Sequence, residues 1–493
     1  MSQTAGSLTS NGHRLLAETA CRLPAGIELL GPVYWIAGTL VSGASLYLGG
    51  IEAFAVTLAV LIALWSFADL RTSLCLSTAY MIFLFVFFQN EAPLGDELPQ
   101  EFFYWGAGVA FITAGVCCAT LFSRKTAWFL TWKRMSANAS VAVAAMLVMT
   151  FAAAANGLWL GNQPFAVVRQ LFGCVLLPVY FFCALAILRS DADVDRWLRG
   201  VNWSIALGAL WYAEKLSATS ITRGVYFREQ SPLTTYAGAA GVIAFALVVE
   251  RSSLWRRLQG LAQLILCAAA IVLMGNRAAL ASLVAACGLL VIVAVSRRGV
   301  LAGTLALVIV AGGIGDAFYF GNRFLEHRGV GGDIARRFII RISEDRSFQG
   351  RMAQMEAVMA TVRKSPVLGA GLGSETVFLA PEEGRLRLTS VDNGWGYVML
   401  KMGLLGLAVF LAVLGLLLWR SLRHLLRYPR GTLRANTMAL LGVLLYGVIV
   451  FWSGPAFLHF TSAGFFGTTF AAILVLADSR AAEIETAMRE AQG

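Results

Sequence analysis

The sequence predicts an all-α polytopic membrane protein of about fourteen transmembrane helices, interrupted by one large, partly helical loop at about 320–394. Three observations carry this. The 493 residues are 58% hydrophobic and only 14% charged, with a mean hydropathy of +0.71, whereas soluble domains run at about 25% charged. Apolar runs of about 17 to 25 residues, enough to cross a roughly 30 Å hydrocarbon core, recur along the chain. Lys and Arg gather in alternate links between those runs, as short cytoplasmic loops should show.

The predicted spans are 31–49, 52–69, 73–89, 103–122, 140–159, 165–188, 200–217, 233–250, 259–275, 278–296, 300–319, 395–419, 436–453 and 456–477. Only Gly49 and Gly50 separate the first pair. Arg71, SRKTAWFLTWKR, RSDADVDRWLR, RSSLWRR, SRRG and RSLRHLLRYPRGTLR fall on one side of these spans, whereas NEAPLGDELPQE and the GNQP and SGP links fall on the other. Residues 1–30 and 478–493 are then cytoplasmic, 31–319 form a first transmembrane domain of about eleven helices, 320–394 an external loop, and 395–477 about three further helices. The polar stretch with Arg14 and Arg22 offers no short apolar core with a cleavage site, so no removable signal peptide is expected.

Arg277 is the one charge between Leu258 and Ser296. A central charge costs a membrane helix roughly 2.5 to 3.5 kcal/mol, and at about 1.5 Å per residue this run is twice the core thickness. The run therefore folds into two spans with a turn at Gly275-Asn276-Arg277, which places Arg277 at the external face.

The cysteines sit almost entirely in predicted spans and show neither a disulfide framework nor zinc-ligand spacing. The net charge of +11 lies mainly in cytoplasmic loops, where orientation and anionic membrane lipids explain it without nucleic acid. No nucleotide-binding domain or cytoplasmic acidic metal motif is visible, which argues against nucleotide-sugar transfer.

The external loop, about 75 residues long, exceeds ordinary connections and points to function. GRMAQMEAVMATVRK has helical periodicity from Gly350 to Lys364, with Met352, Met355, Val358, Met359 and Val362 on one arc. Arg351 falls inside that arc, between Val358 and Val362, and so points toward whatever the helix packs on. Pro366 ends the helix, and PVLGAGLGSE follows. Its glycines permit either a helix-terminating turn or a phosphate cradle, although the spacing does not match a phosphate-binding loop. Arg323, Arg328, Arg336, Arg337, Arg341, Arg346, Arg385 and Arg387 suit bidentate phosphate binding or pairing with Glu344, Asp345, Glu382 and Glu383. His327, the one histidine of this loop, lies between Glu326 and Arg328 and reads as solvated surface, with a catalytic role as the alternative.

MGNRAAL, then an arginine-led helix running into SPVLGAGLGS, then SVDNGWGYVMLKMGLLGLAVFL resemble, in this order, the O-antigen ligase and O-antigen polymerase (Wzy-like) superfamily of bacterial membrane glycosyltransferases. The resemblance covers roughly 270–420. It implies a glycan moving from undecaprenyl pyrophosphate to a hydroxyl, with inversion and without a metal or other cofactor, at the periplasmic face of the inner membrane. Arg277 and Arg351 match the family's essential arginines, which would stabilise the departing pyrophosphate, and the base near the acceptor would be Asp392. Ligases usually carry histidine before the asparagine, so Asp392-Asn393 favours a polysaccharide polymerase (O-antigen or exopolysaccharide) over a ligase acting on lipid A-core or protein.

Arg169 lies just inside the sixth span, so it faces protein or water; it binds lipid pyrophosphate or snorkels to the surface. Asn393 joins it as a substrate-binding candidate. TRGVYFREQSPLTTY adds Arg228 and Tyr226, a pairing suited to sugar and phosphate and equally ordinary at a helix end. Partners implied are the lipid-linked oligosaccharide, a glycan or lipid acceptor and polysaccharide export proteins. A secondary transporter or flippase is the competing class; arginines kept at the outer face and a structured loop there favour surface chemistry.

Overall fold

The computed structural model describes residues 25–88, 100–122, 137–223, 232–250, 253–273, 276–293, a few positions within 300–308, and 346–380, 384–388, 391–427, 431–459 and 462–492. Among them run helices α1 (Ala25–Trp65), α2 (Leu70–Phe88), α3 (Gln100–Phe122), α4 (Ala137–Trp159), α5 (Pro164–Ile187), α6 (Asp191–Arg223), α7 (Pro232–Glu250), α8 (Leu254–Leu273), α9 (Arg277–Val293) and α10 (Arg346–Lys364). Strands β1 (Thr376–Ala380) and β2 (Gly384–Leu388) follow, then α11 (Gly394–Arg427), α12 (Thr432–Val450) and α13 (Ala463–Gln492). Four stretches are long and apolar enough to cross a membrane: Ala139–Trp159, Pro164–Ile187, Gly394–Leu426 and Thr432–Val450. Shorter apolar helices accompany them, and the span expected at 300–319 lies mostly outside the described residues.

The chain divides into two compact units, Met1–Ser73 with Pro93–Val116, and Leu74–Ala92 with Cys117–Gly493. In the first, α1 is broken at Gly50 (φ 74°), so the expected 31–49 and 52–69 spans form one interrupted helix. Tyr34 donates to the Leu61 carbonyl at 2.5 Å and its ring lies 5.0 Å from Trp65. Asp69 caps α2, accepting from the Arg71 and Thr72 amides.

The second unit is built around α5, α7 and α12. α5 runs along α13, and α7 packs on both α8 and α12. A side chain at Gly467 would run into the Leu177 carbonyl, and one at Gly238 into the Tyr446 ring, the small-residue contacts that let membrane helices approach closely. Two buried polar contacts join these helices. Tyr446 donates to the Thr234 carbonyl at 3.1 Å, and Arg434 meets Glu250 at 3.1 Å with both side chains nearly inaccessible.

Several boundaries differ from expectation. RSDADVDRWLR is the opening of α6: Ser190 accepts the Asp193 amide while Asp193 accepts the Arg189 amide, and Val194, Trp197 and Leu198 are buried. RSLRHLLR continues α11 as helix, and α13 starts at Ala463 because Gly454 and Pro455 hold the preceding stretch in turns. NEAPLGDELPQE and SRKTAWFLTWKR lie essentially outside the described residues. The segment expected as a loop at 320–394 also contains an antiparallel pair the all-α expectation lacked, with Thr376 opposite Leu388 and Ala380 opposite Gly384.

Candidate functional site

The site is assembled at the end of the second unit where α10, the glycine-rich segment, α11 and the α12–α13 link converge. α10 packs through Gln354, Val358 and Val362, all buried. Arg351 shares that face, one turn before Gln354 and Met355. Met352 and Met359, expected within the apolar arc, are exposed at 45% and 39%, so the packed face is rotated away from them and centred nearer Arg351. The Arg351 Nε is buried and has no hydrogen-bond partner among the described residues. Such a donor costs roughly 1 to 3 kcal/mol when left unmade, which makes it a candidate for an anionic ligand.

α10 is tied to the start of α11. Gln354 Oε1 accepts the Asp392 amide at 3.2 Å, and a side chain at Gly396 would touch Met355. Arg351 and Asp392 are therefore joined through a single turn of helix. Asn393 is buried and caps α11, its side-chain oxygen accepting the Gly396 amide at 3.1 Å. That oxygen is committed to the fold, which gives Asn393 a structural role beside the binding role expected of it. The Gly394 amide donates to the Phe451 carbonyl at 2.8 Å, and Trp395 meets the Phe451 ring edge-on at 4.9 Å; these contacts pin the α12–α13 link beside Asp392. Burial pushes the half-buried His459 imidazole of that link down to about 4.

The glycine segment is not a phosphate cradle. Its amides donate inward: Gly369 to Ser365, Ala370 to Leu400, Leu372 to Ala153 and Ser374 to Gly371, all carbonyls, and Gly373 to Gln170 Oε1 at 2.7 Å. Its carbonyls are held by Asn156, which donates to Gly369, and by Asn162, which donates to Ala370 and Leu372. Gly369, Gly371 and Gly373 all have φ near +70° to +80° (69°, 76° and 79°). At Gly403 (φ 67°) α11 breaks, and the amides of Leu404 and Leu405 pair with the carbonyls of Pro366 and Val367 at 2.8 and 3.2 Å. The segment thus completes the hydrogen bonding of a broken helix, as buried non-helical backbone must.

At the exit of this segment stands a residue the sequence reading passed over. Lys401 is 0% exposed and donates to the Ser374 carbonyl at 2.5 Å and hydroxyl at 3.1 Å, with the Tyr397 ring 5.7 Å away. It is the only charge between Gly394 and Trp419, so the argument applied to Arg277 would have found it. The Ser374–Lys401 pair is no nucleophilic dyad, because Ser374 is buried and its hydroxyl donates to the Gly371 carbonyl at 2.8 Å. Exposed Arg169 and Glu375 lie within electrostatic range of Lys401.

Arg277 opens α9 in the predicted turn. Asn276 before it caps the helix by accepting the Ala279 amide at 3.0 Å and donates to Thr234 at 3.1 Å. Arg228, Tyr226, His327 and the arginines from 323 to 341 lie outside the described residues, and Arg346, Arg385 and Arg387 are placed by their backbone alone. Among the described residues no cluster of three His, Cys, Asp or Glu side chains could hold a metal ion.

The segment from α8 through the first half of α11 can be compared with known families. Residues 262–411 match the family model Wzy_C, described as O-antigen ligase. This part of the chain is similar to the O-antigen ligase family. The matched stretch spans Arg277, Arg351, Asp392 and Lys401, and the apolar helices around it are those of a multi-pass membrane protein. No curated protein is similar enough to the chain to be matched.

Proposed function

We propose that the protein transfers a glycan from undecaprenyl pyrophosphate to an acceptor hydroxyl at the periplasmic face of the bacterial inner membrane. The observation that carries this reading is the stretch similar to the O-antigen ligase family, within which Gln354 joins Arg351, whose buried Nε is unpartnered, to Asp392. The acceptor oxygen attacks the anomeric carbon opposite the leaving group, so a C–O bond forms as the bond to the pyrophosphate oxygen breaks, with inversion. The electron pair leaves with the lipid pyrophosphate, which Arg351 and Arg277 stabilise, and the acceptor proton passes to the Asp392 carboxylate. No step requires a metal. Arg169, within electrostatic range of Lys401, would bind the pyrophosphate of the lipid-linked donor.

Asp392 in place of histidine favours a polymerase extending O-antigen or exopolysaccharide by repeat units. The description of the matching family favours the second reading, a ligase delivering glycan to lipid A-core or protein. Reconstitution separates them: purified protein is given lipid-linked oligosaccharide from the native host, without added metal, and products are resolved by gel and mass spectrometry. A ladder on the lipid identifies a polymerase; transfer only after lipid A-core or protein is added identifies a ligase. Silence with every acceptor would overturn glycan transfer in favour of transport.

The assay also tests the base. Asp392→Asn keeps the side-chain size and the amide that Gln354 accepts, so folding should be unchanged while turnover falls by about 10²- to 10⁴-fold, the usual contribution of a general base. Retained turnover would reduce Asp392 to a positioning role.

A further inference from the structure

Lys401 raises a physical question, because a fully inaccessible ammonium inside an apolar helix is costly unless its charge is used. Its partner Ser374 ends the glycine segment, and β1 begins two residues later. β1 pairs with β2, and β2 leads back within a few residues to Asp392 and the cap of α11. The hairpin therefore has two feet. One, at Asp392–Asn393, is the start of α11 itself; the other, at Ser374–Glu375, is held to α11 by Lys401, about 12 Å further along the helix at 1.5 Å per residue. Between its feet the hairpin packs on α10 through β1, the helix that carries Arg351.

We propose that Lys401 is a positioning residue of the transfer site: by clamping the Ser374–Glu375 foot to α11 it fixes β1 and α10, and so sets Arg351 relative to Asp392. This rests on the glycan-transfer reading above. The alternative is that Lys401 only stabilises the fold. Three features favour positioning. The glycine segment is already held along its length by Ala153, Asn156, Asn162, Gln170 and the backbone at the α11 break, so its fold does not depend on one more contact. Among the described residues, the hydrogen bonds that tie Ser374, two residues before β1, to anything outside the glycine segment come from Lys401. Its chief contact is to a backbone carbonyl at 2.5 Å, so it fixes the path of the main chain whatever the side chain at 374.

Lys401→Met keeps an unbranched side chain one atom shorter and removes both hydrogen bonds. Specific activity per folded, monodisperse molecule should fall by about 10- to 100-fold in kcat, as expected when reacting groups shift by about 1 Å. The donor KM should change less than about twofold, because Lys401 does not itself touch the donor. Ser374→Ala, which retains the carbonyl contact, should keep kcat within about threefold of the parent. A nitroxide at Glu375→Cys, in a background lacking the native cysteines, should become more mobile when Lys401→Met is added. Unchanged kcat in folded Lys401→Met, or an unchanged nitroxide spectrum, would overturn the proposal. If Lys401→Met yields no folded protein, Lys401→Gln is used with the same readouts; failure of both to fold would also overturn it, leaving a stability role. An inactive parent would count against glycan transfer alone, since the nitroxide measurement still reports whether Lys401 holds the hairpin foot.

Discussion

Arg351→Ala should abolish measurable transfer without lowering the stability of the protein. Removing one well-placed donor to a developing negative charge costs about 10²- to 10³-fold in kcat, and a guanidinium facing a departing pyrophosphate presents several such donors. Stability should move the other way. The Arg351 Nε is buried and unpartnered, and no ion pair involving this side chain is found among the described residues. Truncation then strands no carboxylate and relieves a desolvated donor, so the detergent melting temperature should hold or rise, the trade expected where a side chain is kept for function. Turnover and melting temperature measured on the same preparation decide it. A variant that melts lower with unchanged specific activity would make Arg351 a packing residue. Arg277→Ala is expected to lose transfer as well, with insertion intact.

What the sequence made legible, and what it hid, follows the range of the interactions involved. The α8–α9 turn at Arg277, the break at Gly50 and the helix that ends before Pro366 are set by local length, by glycine and by proline geometry, so neighbouring residues disclose them. The β1–β2 pair was hidden because TVFLA and GRLRL are five residues each and sit among arginines and acids that read as an ordinary charged loop. The opening of α6 was hidden because a scan for apolar runs discards a helical turn containing three aspartates, even where Val194 and Trp197 are buried. The glycine segment was ambiguous for a different reason. Whether its amides face a ligand or the protein depends on Gln170 and Ala153, some 200 residues earlier, and periodicity carries no information at that separation. Lys401 was legible in principle, as a lone charge in an apolar run; its partner, Ser374, was not.

The same long-range contacts leave the glycine segment no room for side chains, and Gly371→Ala should be severely damaging. Two penalties act together. Gly371 has φ 76°, a conformation costing an L-residue roughly 1 to 2 kcal/mol. The added Cβ would also run into the backbone N and Cα of Gly157 in α4, where no side chain can rotate aside. Relief requires α4 and the segment to separate, which would break the Leu372 to Ala153 hydrogen bond at 2.9 Å and the contacts of Asn156 and Asn162. The total should exceed about 4 kcal/mol, in the range reserved for backbone strain combined with lost buried hydrogen bonds, and be seen as a loss of monodisperse protein in detergent or a sharply lowered melting temperature. Gly350→Ala is the matched control. It lies in α10 beside Arg351, where a Cβ meets nothing within 4 Å among the described residues, and alanine should stabilise that helix by up to about 1 kcal/mol. A Gly371→Ala protein as stable as the parent would mean that α4 and the glycine segment are not in backbone contact.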